Sequence, residues 1–231
     1  MNGAFIPLAT PAEQEFALLP ADFERIRQLI HQRAGISLHA GKQAMVYSRL
    51  SRRLRETRTG SFGAYLDWLQ RATGELAAAE WQEFVNCLTT NLTAFFREEH
   101  HFHALTEDLR ARAARPLRLW CNAASTGEEP YSLALTVVET LGPAAQVRIV
   151  CSDIDTKVLA RAGLGIYAAD ARGLDAERLK RHCMRGTGAH VAGTQGGRRR
   201  ARRNQPARPA EGWRPQGRRS FVLPRRRPLL Q

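Results

Sequence analysis

The chain reads as an α/β protein in which a small helical bundle precedes an incomplete Rossmann-like domain. Three observations predict this. Apolar residues recur at three and four spacing through residues 21–93, a strand, small-residue loop, helix and second strand follow, and apolar periodicity stops after Gly188. In order, Phe23, Ile26, Leu29 and Ile30 set one amphipathic helix and Val46, Leu50 and Leu54 a second, running from about Gly41 to Arg58. Phe62, Tyr65, Leu66 and Leu69 follow a capping residue at Ser61, and Trp81, Phe84, Val85 and Leu88 repeat the pattern. Four such helices make a bundle, with these side chains as its core.

From about Phe95 the texture changes. A helix over Phe102, Leu105 and Leu109 leads to Leu117–Cys121, a short apolar run expected to be a buried strand. The loop Asn122–Gly127 opens a helix that has Pro130 in its first turn and continues through Leu133 to Leu141. Val147–Cys151 is the next strand, running into Ser152–Asp155, and Val158, Leu159 and Ala162 begin another helix, which completes a βαβ unit. The organisation is therefore an N-terminal extension (1–20), a helical domain (21–93), a partial α/β domain (94–188), and an Arg/Pro/Gly-rich tail (189–231) expected to be disordered.

Composition narrows the function. The chain has 231 residues, 43% of them apolar and 25% charged, as an ordinary globular protein has. No run approaches the roughly 18 apolar residues a membrane helix needs, and the N-terminus lacks a signal-peptide pattern, so no membrane insertion and a cytoplasmic location are expected. Cys87, Cys121, Cys151 and Cys183 show no CxxC spacing, which points to reduced thiols and to no metal. The net charge of +13 suggests nucleic acid until its location is considered: twelve Arg and one acid after Gly188 give +11, which leaves +2 for the first 188 residues. No specific nucleic-acid partner is expected, since no aromatic stacking platform accompanies the arginines of the folded part.

A strand that ends in a small-residue loop and opens a helix presents unsatisfied N–H groups and a positive dipole end, which suits a nucleotide-type ligand. Gly127 would let such a ligand approach, and Asp153, closing the next strand, would accept from ribose hydroxyls. The loop is no GxGxxG, and Asp153 has a plainer reading as the cap of a helix beginning near Ile154.

Longer motifs decide more. LTTNLTAFFREEHHF (Leu88–Phe102), ASTGEEPYSLAL (Ala124–Leu135), SDIDTKVLARAGLGIY (Ser152–Tyr167) and RHCMRGTG (Arg181–Gly188) occur in order, and with them the chain resembles the CheR-type chemotaxis receptor glutamate O-methyltransferases from about Ala21 to Gly188. The resemblance implies a helical N-terminal domain joined to an S-adenosylmethionine-dependent methyltransferase domain that esterifies receptor glutamates, with S-adenosylhomocysteine as product. It implies Asn91, Thr93, Arg97, Glu129 and Asp153 as cofactor contacts, with Arg97 as the residue to test for a catalytic share. Such residue types suit the task, as amide, hydroxyl and carboxylate groups bind amino and ribose groups and a guanidinium binds a carboxylate. The plainer alternatives are that Asn91 and Thr93 cap the following helix and that Arg97 and Glu129 are surface charges. The resemblance also implies chemotaxis receptor cytoplasmic helices as partner. Arg49, Arg52, Arg53, Arg55 and Arg58, read as lying on the faces of their helix away from Val46, Leu50 and Leu54, would meet the acidic residues of those helices. A monomer is expected.

The family's text continues past RGTG with further strands and cofactor motifs, whereas here it gives way to Arg/Pro/Gly-rich sequence typical of a GC-rich gene in another frame. The chain is accordingly expected to be C-terminally truncated or frame-shifted after about residue 188. If the tail is the true continuation, one sheet edge is bare and S-adenosylmethionine should bind weakly or not at all, a low-micromolar affinity being the contrary result. A chain so reduced would act as a non-catalytic receptor-binding or polyanion-binding remnant, its tail attaching to nucleic acid or anionic lipid.

Overall fold

The computed structural model describes residues 15–112, 116–185, 190–192 and 219–222. The chain divides into two compact units, Met1–Thr90 and Asn91–Gln231.

The first unit holds α1 (Pro20–Ala34), α2 (Gln43–Thr57), α3 (Phe62–Arg71) and α4 (Gly74–Leu88). Each helix forms where the apolar stripe predicts, because only burial of that stripe offsets the entropy of ordering so short a helix. Ile26, Ile30, Val46, Leu50, Leu54, Phe62, Tyr65, Leu66, Leu69 and Phe84 are all wholly inaccessible, and each large apolar side chain so buried contributes roughly 1.5–3 kcal/mol. Ser61 caps α3, its hydroxyl accepting from the Ala64 N–H at 3.2 Å. Gly35 ends α1 at φ +69°, where its N–H reaches the His31 carbonyl at 2.8 Å. Trp81 is only half-buried and lies under the Arg33 guanidinium, 5.4 Å from the ring centroid.

The second unit runs α5 (His100–Ala111), β1 (Leu117–Cys121), α6 (Glu128–Leu141), β2 (Val147–Asp153), α7 (Thr156–Leu164), β3 (Ile166–Ala168), α8 (Ala176–His182), β4 (Met184–Arg185), β5 (His190–Ala192) and β6 (Arg219–Val222). β1 and β2 pair in parallel, Leu117 opposite Val147 through Cys121 opposite Cys151, with α6 as the crossover. The unit is therefore α/β, and its core of Cys121, Ala124, Ile149, Cys151 and Leu159 lies on one face of this pair, packed by Leu119, Leu133, Ala134 and Val147.

The expectation of a bare sheet edge is corrected. The outer edge of β2 is paired antiparallel with β6, and β5 sits between β3 and β4 in a small antiparallel sheet. Two short pieces of the tail thus carry strand pairing, because free N–H and C=O groups at a sheet edge accept any strand within reach. The rest of 189–231 lies outside the described residues.

Candidate functional site

The crest of the β1–α6–β2 unit gathers polar groups. Asp153 ends β2 and is buried; its Oδ2 accepts from the Ser125 N–H at 2.7 Å and its Oδ1 from the Asp155 N–H at 2.8 Å. One carboxylate thus fastens the loop after β1 to the turn after β2, and the Ala124 N–H donates to the Ser152 carbonyl at 3.0 Å alongside it. Each carboxylate oxygen has two lone pairs, so both backbone bonds leave Asp153 with acceptor capacity. Asp153 is not the helix cap. That role falls to Asp155, whose Oδ1 accepts from the N–H groups of Lys157 and Val158 at 2.9 and 3.3 Å.

Asn91 joins this cluster from the other side of the sequence, its Nδ2 donating to Asp155 Oδ2 at 2.7 Å while its backbone carbonyl accepts from the Ser125 hydroxyl at 3.4 Å. Neither Asn91 nor Thr93 caps α5, whose N-cap is Glu99. The segment between them and α5 is firmly held. The Phe95 N–H donates to the Arg172 carbonyl at 3.0 Å, the Phe96 N–H to the Ser132 hydroxyl at 2.9 Å, and Phe95 packs edge-on against Tyr167 with centroids 4.9 Å apart. Phe96 and Glu98 sit at φ +50° and +56°, the left-handed region that only such surroundings can enforce on non-glycine residues. Arg97 between them is exposed and donates to the Leu92 carbonyl at 2.9 Å. Among the described contacts neither Thr93 nor Arg97 is tied to Asp153.

Gly127 opens α6 at φ +105°, and a Cβ there would collide with the Tyr167 hydroxyl and come within 2.9 Å of the Ala162 Cβ. The expectation that Gly127 makes room for a ligand is corrected: the space its missing side chain leaves is taken by Tyr167, which donates to the Thr126 carbonyl at 2.9 Å, and by α7. Glu128 and Glu129 occupy the first turn of α6, where the helix dipole favours acids. Glu129 is exposed; burial first, then the Glu129 charge, push the Cys121 thiol up to about 12.

In the helical unit the five arginines part company. Arg53 is buried, the correction to an outward basic face. It pairs through Nε with Glu80 Oε1 at 2.9 Å and through its terminal nitrogens with Glu80 and Glu56. Tyr65 donates to the same Glu80 oxygen at 2.7 Å. The Glu80 bond holds Arg53 above the usual guanidinium range, and burial first and Glu80 second hold Tyr65 above the usual phenol range. Arg49 is half-buried and reaches the Thr89 and Cys87 carbonyls at 2.6 and 3.2 Å, closing the end of α4. Arg52, Arg55 and Arg58 remain exposed.

Among the described residues no helix is long and apolar enough to cross a membrane, and no group of three or more His, Cys, Asp and Glu is placed to hold a metal ion.

Residues 21–89 match the family described as "CheR methyltransferase, all-alpha domain" and residues 91–196 match "CheR methyltransferase, SAM binding domain", running a little past Gly188. Among curated proteins, the chemotaxis protein methyltransferase of Salmonella typhimurium is 51% identical over 179 residues, 77% of this chain and 61% of that protein; the one from Escherichia coli is 50% identical over the same shares. Chemotaxis protein methyltransferase 2 of Pseudomonas aeruginosa is 49% identical over 194 residues, 80% of this chain and 68% of that protein. The chain thus spans about three-fifths of the length of the first two relatives. With both domains matched in order and half of the aligned residues shared, the chain belongs to the CheR family of chemotaxis methyltransferases.

Proposed function

We propose that this chain binds S-adenosylmethionine at the crest of β1, α6 and β2 and transfers its methyl group to glutamate side chains of chemotaxis receptors. The observation that carries the reading is Asp153, a buried carboxylate fixed by two backbone N–H groups at the end of β2, within the residues that match a SAM-binding domain. The donor set fits such a ligand: Asp153, Glu129 and the Asn91 amide supply acceptors for ribose and amino groups, Thr93 a hydroxyl, and Arg97 a cation for the ligand's carboxylate. When bound, S-adenosylmethionine supplies an electrophilic methyl on a positive sulfur. A receptor glutamate, with an ordinary pKa near 4.3, meets it already ionised, so no general base is needed and the chain's residues serve to bind, align and exclude water. Arg97 is the residue we assign a share in holding a carboxylate. Arg52, Arg55 and Arg58 offer positive charge to acidic receptor helices, with Arg49 and Arg53 supporting their helix from behind.

A second reading is binding without catalysis. Calorimetric titration of the full chain with S-adenosylhomocysteine, followed by transfer of labelled methyl to a receptor cytoplasmic fragment, separates them. Alkali-labile label on glutamate establishes the enzyme, and cofactor binding without label establishes the second reading. No binding at millimolar ligand overturns the cofactor site.

A further inference from the structure

We propose that Arg178 is a positioning residue, whose guanidinium stacks on Phe96 and so holds the strained turn that aims Arg97. This rests on the cofactor reading above, in which Arg97 meets the ligand's carboxylate. Phe96 and Glu98 stand at φ +50° and +56°, so the backbone on both sides of Arg97 is in a conformation that such residues keep only where their surroundings enforce it. The Arg97 side chain reaches out of this turn into solvent, braced by the Leu92 carbonyl at 2.9 Å. The place of its guanidinium is therefore set by the backbone beneath it.

The turn is seated on α6 and on the stretch from Arg172 to Arg178. The Phe95 N–H donates to the Arg172 carbonyl at 3.0 Å, and the Phe95 carbonyl lies where Gly173, at φ +86°, has no side chain; a Cβ there would collide with that oxygen. The Phe96 N–H donates to the Ser132 hydroxyl at 2.9 Å, and that buried hydroxyl donates to the Glu128 carbonyl at 2.7 Å. Phe102 meets the Phe96 ring edge-on with centroids 5.1 Å apart, and the Arg178 guanidinium carbon lies 3.9 Å from the ring centroid. Arg178 is itself fixed: Nε and one terminal nitrogen donate to the two Glu139 oxygens at 3.0 and 3.2 Å, and the other terminal nitrogen donates to Asp175 Oδ2 at 3.3 Å. A planar cation can grip a carboxylate with its edge and cover a ring with its face, whereas an ammonium group keeps the charge and loses both geometries. Arg178 is half-buried on a short helix, so its loss bears on the seat of Phe96 more than on the core.

The test compares the affinities of the full chain for S-adenosylhomocysteine and for 5′-methylthioadenosine, which carries the same nucleoside and no carboxylate. A contact through Arg97 favours the first ligand alone. Arg97→Ala should lower the ratio of the two affinities at least tenfold, the effect of one hydrogen bond to a charged group. Arg178→Ala should lower it about fivefold, the effect of one cation–π contact, with methylthioadenosine bound as before. Its melting temperature should fall by no more than about 4 °C. Arg178→Lys should behave as Arg178→Ala does, and Arg178→Ala should change the ratio no further in an Arg97→Ala background. An unchanged ratio in Arg178→Ala overturns the proposal. Equal weakening of both ligands overturns it too, by marking a merely structural role, as does a ratio preserved in Arg178→Lys, by marking a role of charge alone. If Arg97→Ala leaves the ratio intact, the reading of Arg97 falls instead. Amide hydrogen exchange then decides the rest: faster exchange at residues 95–98 in Arg178→Ala still establishes that Arg178 holds the turn, and unchanged exchange refutes that as well.

Discussion

Arg53→Ala should remove a large part of the stability of the helical unit. The Arg53 and Glu80 side chains are 10% and 8% exposed, they meet through two guanidinium nitrogens, and Tyr65 donates to Glu80 from the side at 2.7 Å. Truncating Arg53 leaves a carboxylate buried with a hydroxyl for company and with Glu83 in the same neighbourhood, since Glu83 lies 4.0 Å from the guanidinium that is removed. Breaking a buried pair in this way costs about 3–5 kcal/mol. A unit of roughly 70 residues has in total about 3.5–10 kcal/mol, at 0.05–0.15 kcal/mol per residue. Between about a third and the whole of the margin is therefore lost. Replacing both partners, as in Arg53→Met with Glu80→Leu, should cost far less, within about 1 kcal/mol of neutral, because no charge is stranded. Urea unfolding of the full chain followed by tryptophan fluorescence, with hydrogen exchange on α2 and α4 to locate the loss, measures this. If Arg53→Ala lies within about 1 kcal/mol of the unaltered chain, or if the two single losses simply add in the double variant, the pair is no buried network and Arg53 belongs to the receptor-facing surface after all.

Two further outcomes test the second unit. Gly127→Ala forces a side chain into φ +105° and against the Tyr167 hydroxyl, so it should cost about 2–4 kcal/mol; adding Tyr167→Phe removes the nearest obstacle and should recover part of the loss, and no recovery in a melting cycle would contradict the packing described. Burial, and for Cys121 also Glu129, push the Cys121 and Cys151 thiols from 9.0 to about 12. Their folded pKa lies above the unfolded one, so the stability they lend is complete below pH 9 and drains away as pH rises from about 9 toward 12. The urea midpoint should fall across that window and alkylation of both thiols should stay slow at pH 9, whereas a midpoint that is flat or rises from about pH 9 to 10.5 would be incompatible with this reading.

Much of the fold was legible because its helices bury stripes at three and four spacing, and the strands because β1 and β2 are short apolar runs flanked by small residues. The buried ion pair was legible too, though by a signal that residue type conceals. Arg53 stands seven after Val46 and three after Leu50, and Glu80 stands three after Ala77 and four before Phe84, so both lie on their helices' apolar stripes. A charge on such a stripe reads as outward only when the partner across the bundle is overlooked. In the second unit, β3, β4 and β5 have two or three residues each, too few for any period to show. The seven-residue α8 had a signal in Asp175, whose side chain caps it through the Arg178 N–H at 2.8 Å, with Lys180, Arg181 and His182 in the last turn. Asp155 was missed because two aspartates stand two apart and spacing alone does not say which closes the strand and which opens the helix.

The same contacts bear on what a cofactor titration of this chain measures. Asp153 is held by Ser125 and Asp155, Asn91 by Asp155, the segment after it by Arg172 and Ser132, and the loop before α6 by Tyr167. All of these partners precede Arg178, and the edge of β2 that ends in Asp153 is paired in addition with β6. A preformed crest spares a ligand the ordering cost of assembling it. Saturable binding that is sensitive to Asp153→Asn is the behaviour such a crest should show. Binding that depends steeply on salt and is indifferent to Asp153 would place the ligand on the arginines instead.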